Sequence, residues 1–509
     1  MAQGKVWLVG AGPGEPGLIT VRGREVLRRA EVVLYDALAH PALLESCRQA
    51  EQRNVGKRYG EDSAVQHAII AQMIELARAG KRVVRLKGGD PFMFARGAEE
   101  ALALAAAGVA FEIVPGVSSP VAASAYAGIS LTHRDLSSSV TFITGSDRAG
   151  KEWSAESWKK LATATDTICI LMGMRRIAEI TKAIIDGGRS PATSAAVIQW
   201  GARPEQRVVT APLCDIAQKS REAGLTNPAI ILVGEVATLR EKLAWYDSRP
   251  LSGRQIVVPR PAEQGRETAR AILERGAAAI SLPMIEICDP PDAGRFARAV
   301  SQLNGYEWVL FTSANGVERL AAELSRTKRD ARAFGSAKVG VIGPKTAEAL
   351  RSLGIHADLV AQEFVGESLA ASVVANGKPG RVLLLRALVA RDALPEALLR
   401  KGFDVEVVPA YETKPLLGSG AELRARIQQG SADAILFTSS STVTSTLEAL
   451  GSDAKDLLGR VVLASIGPIT TQTLKCAGLP ATLQADVYTV EGLLDALEAH
   501  YAGAGSRHR

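Results

Sequence analysis

The stretch Val83-Val84-Arg85-Leu86-Lys87-Gly88-Gly89-Asp90-Pro91 decides the reading of the first half of the chain. It is an apolar run ending in a tight glycine turn, which predicts a buried strand delivering bare backbone to a ligand. Two further stretches have the same form. Val9-Gly10-Ala11-Gly12-Pro13-Gly14-Glu15-Pro16-Gly17 follows the run Val6–Val9, and Val114-Pro115-Gly116-Val117-Ser118-Ser119 follows Phe111–Val114. The first of these invites a dinucleotide reading, with Asp36 placed where a ribose-binding acid would stand. Against that reading, Glu15 occupies the third glycine position and Pro13 removes a backbone donor that a pyrophosphate would use. A single glycine after a strand is usually only a turn. Three in this order suit a flat ligand without phosphate, held by backbone groups, a carboxylate and apolar walls.

Val/Ile-rich runs at Val6–Val9, Val32–Leu34, Val83–Leu86, Phe111–Val114, Val140–Ile143, Ile168–Leu171 and Ile230–Val233 alternate with helical patterns such as Ala98–Ala107. This predicts α/β layering around largely parallel sheets. With 509 residues the chain exceeds one ordinary core. A boundary is expected at 247–252, where Trp245-Tyr246 gives way to Asp-Ser-Arg-Pro-Leu-Ser before the next strand at Gln255-Ile256-Val257-Val258. That yields units 1–246 and 253–500, with 501–509 as a frayed tail.

The second unit contains an internal repeat. Leu310-Phe311-Thr312-Ser313-Ala314-Asn315-Gly316-Val317 returns as Leu436-Phe437-Thr438-Ser439-Ser440-Ser441-Thr442-Val443, and Val341-Ile342-Gly343-Pro344-Lys345-Thr346 returns as Ser465-Ile466-Gly467-Pro468-Ile469-Thr470. The offsets of 126 and 124 residues keep register, which predicts two similar α/β lobes rather than a solenoid.

The five cysteines are scattered and odd in number, with no C-x-x-C pair, which argues against a disulfide framework or zinc site. No metal is expected. The net charge of +6 is spread without a basic, aromatic-interleaved tract, so nucleic acid is not expected as a partner. No apolar run reaches the length of a membrane span, and no signal peptide is evident, so a cytoplasmic protein without membrane contact is expected.

The first half resembles uroporphyrinogen-III C-methyltransferase over residues 4–246. The matching residues are Leu8–Gly14, the strand ending at Asp36, Val55-Gly56-Lys57-Arg58, Arg85–Phe92, Val114–Val117, Gly128–Arg134, Leu171-Met172-Gly173 and Pro228–Gly234. The chain departs from the usual pattern at Glu15, Ser118-Ser119, Leu171 and Ala202. The resemblance implies a two-lobe tetrapyrrole methylase fold, usually homodimeric, binding S-adenosyl-L-methionine between its lobes and releasing S-adenosyl-L-homocysteine. It implies cofactor contacts at Pro13, Gly88, Gly89, Asp90, Met93, Ser118, Ser119, Met172 and Gly201. It also implies Asp36 as general base and Lys57 as proton donor. That chemistry suits the residue types, because methylating a pyrrole carbon requires a proton to leave. Otherwise the two would read as a strand-end acid and a solvated lysine. A polycarboxylate substrate calls for fixed cations, and Arg85, Lys87, Arg96 and Arg134 are the candidates, each of which could equally be structural.

Residues 253–500 resemble uroporphyrinogen-III synthase. The resemblance rests on Phe311–Val317, Ile342–Ala347, Leu383–Arg386, Val407-Val408-Pro409-Ala410-Tyr411-Glu412-Thr413 and the second copies. It implies a two-lobe α/β synthase fold, with about 253–286 plus 412–500 in one lobe and 292–408 in the other. The implied reaction closes hydroxymethylbilane with inversion of its last ring. Thr312, Ser313, Thr346, Thr438, Ser439 and Thr470 would bind substrate carboxylates, or else serve as helix caps. Tyr411 would assist hydroxyl departure, or else pack at a lobe junction. The whole then reads as a bifunctional enzyme of sirohaem or cobalamin formation acting on small tetrapyrroles. A second reading makes the C-terminal half a non-catalytic tetrapyrrole sensor.

Overall fold

The structure is a computed structural model and describes residues 4–56, 64–145, 153–260, 262–361 and 365–503. The described residues divide into two compact units, 4–254 with Ile272–Ala278, and Gln255–Ala271 with 279–503.

Unit 1 holds two five-stranded sheets. The first contains β1 (Lys5–Gly10), β2 (Val32–Tyr35), β3 (Glu51–Asn54), β4 (Arg82–Lys87) and β5 (Ala110–Val114) in the order β3-β2-β4-β1-β5, every pair parallel. Its central strands β1, β2 and β4 are covered on both faces. Val9, Val33, Val84 and Leu86 pack on one side, and Val6, Leu8, Val32 and Val83 on the other. That is why these strands read as continuous apolar runs rather than as alternation.

The second sheet contains β6 (Val140–Thr144), β7 (Thr167–Leu171), β8 (Ser194–Gln199), β9 (Arg207–Pro212) and β10 (Ala229–Val233) in the order β6-β7-β10-β8-β9. Here β10 runs antiparallel to both β7 and β8, and β8 antiparallel to β9. Apolar runs alone do not carry strand direction, and the short link from β8 to β9 leaves no room for the crossover that parallel neighbours need.

Unit 2 also holds two sheets. One contains β11 (Gln255–Val258) and β12 (Ala278–Ser281) with strands near the C-terminus. The other contains β13 (Ile285–Cys288), β14 (Trp308–Phe311), β15 (Lys338–Val341), β16 (Leu359–Val360), β17 (Arg381–Ala387) and β18 (Asp404–Pro415) in the order β13-β18-β17-β14-β15-β16. The first is completed by β19 (Ala434–Phe437), β20 (Val462–Ser465) and β21 (Leu483–Gln484), in the order β12-β11-β19-β20-β21. The repeated sequences occupy equivalent places. In each copy a strand runs through a Ser turn into a helix, and its parallel neighbour runs through Gly-Pro into another.

β18 is long because it serves two partners, pairing parallel with β17 through Val408 and antiparallel with β13 from Glu412 to Pro415. Between them the register slips: Arg386 faces Pro409 but Ala387 faces Tyr411, leaving Ala410 as the extra residue of a bulge. A bulge is one of the few places where a sheet tolerates proline. It also re-aims Tyr411.

The last helix runs Val490–Gly503, so residues 501–503 continue it, while residues 504–509 lie outside the described residues. No helix among the described residues is long and apolar enough to cross a membrane.

Candidate active sites

The three glycine loops of unit 1 meet at the carboxyl ends of β1, β4 and β5, the end at which parallel α/β sheets bind ligands. Gly12 and Gly89 exchange backbone hydrogen bonds at 3.2 and 2.8 Å, and the Ala11 N–H donates to the Lys87 carbonyl at 2.7 Å. Asp90 joins the third loop: one carboxylate oxygen accepts from the Gly116 N–H at 2.9 Å and the other from Phe92 at 2.8 Å. Asp90 thus builds the cradle. Glycine is obligatory here, since a Cβ on Gly116 would lie 2.4 Å from the Gly89 carbonyl oxygen.

The other segments expected to touch cofactor carry backbone strain. In unit 1 the non-glycine residues with left-handed φ are Phe94 and Arg96 just after Met93, Met172 itself, and Trp200 and Ala202 on either side of Gly201; Lys328 of unit 2 shares the conformation. Such conformations persist only where surroundings over-determine them, and they collect at binding sites. Gly201 backs onto Ala123 of the helix Ser119–Tyr126, where a Cβ would lie 2.3 Å from the alanine methyl. Ser118 is that helix's N-cap residue, but its side chain makes no capping bond. Gly89, with φ +67°, turns bare backbone toward the Ser119 N–H, and Pro13, Gly88 and Met93 are half-buried beside their loops. A cradle of bare glycine backbone beside the Ser119 N–H at a helix start fits an adenosine-bearing amino acid. A Cβ on Gly89 would meet Ser119 N in ordinary contact at 3.5 Å, so it is the left-handed φ that favours glycine there.

Asp36 stands just beyond β2, with its carboxylate held by the Arg85 guanidinium at 2.5 Å. Arg85 is buried, and its Nε also donates to Glu100 at 3.3 Å. Lys87, equally buried, donates to the same Glu100 oxygen at 3.0 Å, and Gln66 donates to it at 2.9 Å. The second Glu100 oxygen is buried without a partner among the described residues. Burial, reinforced by neighbouring Arg85, lowers the Lys87 ammonium from its ordinary range, although Glu100 and Asp36 pull the other way. Arg85 and Lys87 were expected to face substrate carboxylates, and in this structure their charges are met inside the fold. Arg96 is exposed and forks onto Glu99 at 2.6 to 3.0 Å, and Arg134 is exposed. Lys57 lies outside the described residues.

Glu100 escaped the sequence reading, yet a signal existed. In the helix Gly97–Ala106 the buried positions are Gly97, Glu100, Ala101 and Leu104, the spacing of one helix face. Arg203 was missed too. It packs against Gly14, stacks on Trp200 at 4.9 Å and donates to the Leu38 carbonyl at 2.5 Å, closing the turn beside Asp36.

In unit 2, Ser313 caps the helix Ala314–Arg326, and its hydroxyl also meets the Tyr411 hydroxyl at 2.9 Å. Tyr411 is buried in the cluster containing Phe311, Val317 and Val408. Ser439 caps the helix Ser440–Leu450 in the same manner. Thr312 and Thr438 sit half-buried at the turns preceding these caps. Thr346 and Thr470 are buried at 5% and 4% exposure, so neither hydroxyl stands open in this structure.

Comparison with known proteins gives two family matches: "Tetrapyrrole (Corrin/Porphyrin) Methylases" over residues 5–217 and "Uroporphyrinogen-III synthase HemD" over residues 266–495. The chain is 35% identical over 500 residues to "Porphyrin biosynthesis protein HemD" of Ruminiclostridium josui, covering 98% of both chains. It is 47% identical over 249 residues to "Siroheme synthase 1" of Yersinia enterocolitica, covering 49% of this chain and spanning 52% of that protein. Among solved structures it is similar to a uroporphyrin III C-methyltransferase of Thermus thermophilus complexed with S-adenosyl homocysteine. The identity is 35%, the match covers 46% of this chain and 99% of that one, and the TM-score is 0.41.

Proposed function

Since the chain belongs to the family of the porphyrin biosynthesis protein HemD, with a tetrapyrrole methylase half and a uroporphyrinogen-III synthase half, we propose that it performs two consecutive steps. The C-terminal half closes hydroxymethylbilane to uroporphyrinogen III with inversion of the last ring. The N-terminal half methylates that product twice to precorrin-2, toward sirohaem or cobalamin. The observation that carries the reading is that one relative matches both halves, in this order, over 500 residues.

S-adenosylmethionine supplies an electrophilic methyl group and leaves as S-adenosylhomocysteine. The glycine cradle, Met93, Ser118, Ser119, Met172 and Gly201 would hold it. Arg85 fixes the Asp36 carboxylate at the end of β2, where it takes the proton that a methylated ring carbon must lose. Lys57 would return a proton, and exposed Arg96 and Arg134 would meet substrate carboxylates. In the synthase half, the Tyr411 hydroxyl, oriented by Ser313, would assist departure of the substrate hydroxyl. The hydroxyls of the paired Ser/Thr turns would hold the chain curved for closure.

The methylase half would form a homodimer, and the protein would work in the cytoplasm. Sedimentation of the full chain checks the first of these statements.

Separation of function tests the reading. Asp36→Asn is expected to slow methylation by roughly 10²–10⁴-fold while leaving ring closure intact. Tyr411→Phe is expected to slow ring closure alone. Variants that depress both activities equally would count against assigning one step to each half.

A further inference from the structure

Unit 2 holds a cavity of about 180 Å³ that Thr438 and Ser439 share with residues given no role above. Its lining comes from separate parts of the fold: Arg260 just after β11, Ile285 and Ile287 on β13, Asn315 early in the helix that Ser313 caps, and Thr438 and Ser439 after β19. Among the described residues that line it, Arg260 brings the only charge and none is a carboxylate; nor does Arg260 have a hydrogen-bond or ion-pair partner among the described residues. Glu267, on the helix Ala262–Glu274, attracts it only at a distance, and burial outweighs that pull and lowers the guanidinium from its ordinary range.

A half-buried guanidinium without a partner is costly unless an anion arrives to meet it. The remaining lining suits such an anion on a short apolar arm. Hydroxyls and an amide can share the oxygens, and two isoleucine side chains can cover the methylenes. The size agrees. Whole-ligand pockets run to about 300–1,000 Å³, so this one takes a side arm and not a macrocycle.

We infer that Arg260 is a substrate-binding residue of the ring-closing half, gripping one carboxylate arm of the linear tetrapyrrole. The inference rests on the synthase reading of unit 2. It adds a fixed cation to a half whose nominated residues were all neutral. Asn315 stands two residues beyond Ser313, so the gripped arm lies on the same turn that orients Tyr411.

The test uses the full chain with Arg260→Met and Arg260→Lys. In Arg260→Met the KM for hydroxymethylbilane should rise at least tenfold, with a smaller change in kcat and methylation of added uroporphyrinogen III unchanged. Arg260→Lys should recover part of the loss, since it restores the charge but not the two-point fork. A KM within twofold of the unaltered protein in both variants would overturn the inference. So would a fall in kcat alone. Should the unaltered chain yield only the type I product, the synthase reading fails, and binding decides Arg260 separately. Quenching titrations with uroporphyrin III would then show one class of sites weakened at least tenfold by Arg260→Met, or unchanged, which would refute it.

Discussion

The Arg85 guanidinium donates to the Asp36 carboxylate at 2.5 Å across neighbouring strands, while its Nε reaches back to buried Glu100. The proposed base is therefore one end of a chain of charges rather than a free surface acid. Removing a single member leaves a buried charge unmet, which typically costs about 3–5 kcal/mol, whereas removing a pair together costs much less. Glu100→Met should destabilise unit 1 by about that amount, and Arg85→Met with Glu100→Met together by clearly less than the two singles added. Denaturant unfolding of the four proteins measures it, and strict additivity would argue that the network is not coupled.

The glycine cradle makes a prediction of opposite signs. In Gly116→Ala the new methyl would stand 2.4 Å from one backbone atom and 2.7 Å from another, and backbone cannot rotate away. A loss of about 1–3 kcal/mol is expected, with at least tenfold weaker binding of the methyl donor by calorimetry. Gly418→Ala, in the helix Leu417–Gln428 with nothing within 4 Å, should instead stabilise by up to about 1 kcal/mol.

His40 gives the pH dependence. Burial first, then the Arg203 charge, depresses its imidazole from 6.5 to about 4. The neutral ring suits its role, since Nδ1 accepts from the Ala42 N–H at 3.2 Å. The folded state therefore resists the proton that the unfolded chain accepts. Its contribution is fully present above about pH 6.5 and is lost progressively as pH falls toward 4, on the order of 3 kcal/mol in all. Unfolding curves of His40→Asn against the unaltered chain should converge across that window. Parallel curves from pH 7 to 4 would contradict it.

Ser313 and Tyr411 should be energetically coupled. Ser313→Ala loses a cap worth about 1 kcal/mol together with the shared hydroxyl bond, and Tyr411→Phe loses only the latter. A double-mutant cycle should return about 0.5–1.5 kcal/mol. A coupling near zero would mean the 2.9 Å contact does not hold the tyrosine.

What was legible in the sequence was local. The strands show as Val/Ile runs, the cradle as glycines at strand ends, and the twin lobes of unit 2 as a repeat kept in register. Pairings that depend on sheet order were not legible. Asp36 and Arg85 lie 49 residues apart and meet only because β2 and β4 are neighbours with Tyr35 opposite Leu86. In β4, Arg85 and Lys87 alternate with Val84 and Leu86, which in an exposed sheet would signal a wet face. Here both faces are covered, and Glu100 arrives from a helix to meet the charges. Arg260 was hidden for a similar reason: its cavity is assembled from four separate stretches of chain.

The central claim is that one chain closes and then methylates the same tetrapyrrole. Hydroxymethylbilane and isotopically labelled S-adenosylmethionine, supplied together to the full protein under exclusion of oxygen, test it directly by mass spectrometry and isomer analysis. The expected product has the type III arrangement and carries two labelled methyl groups. A type I product without label would contradict the account.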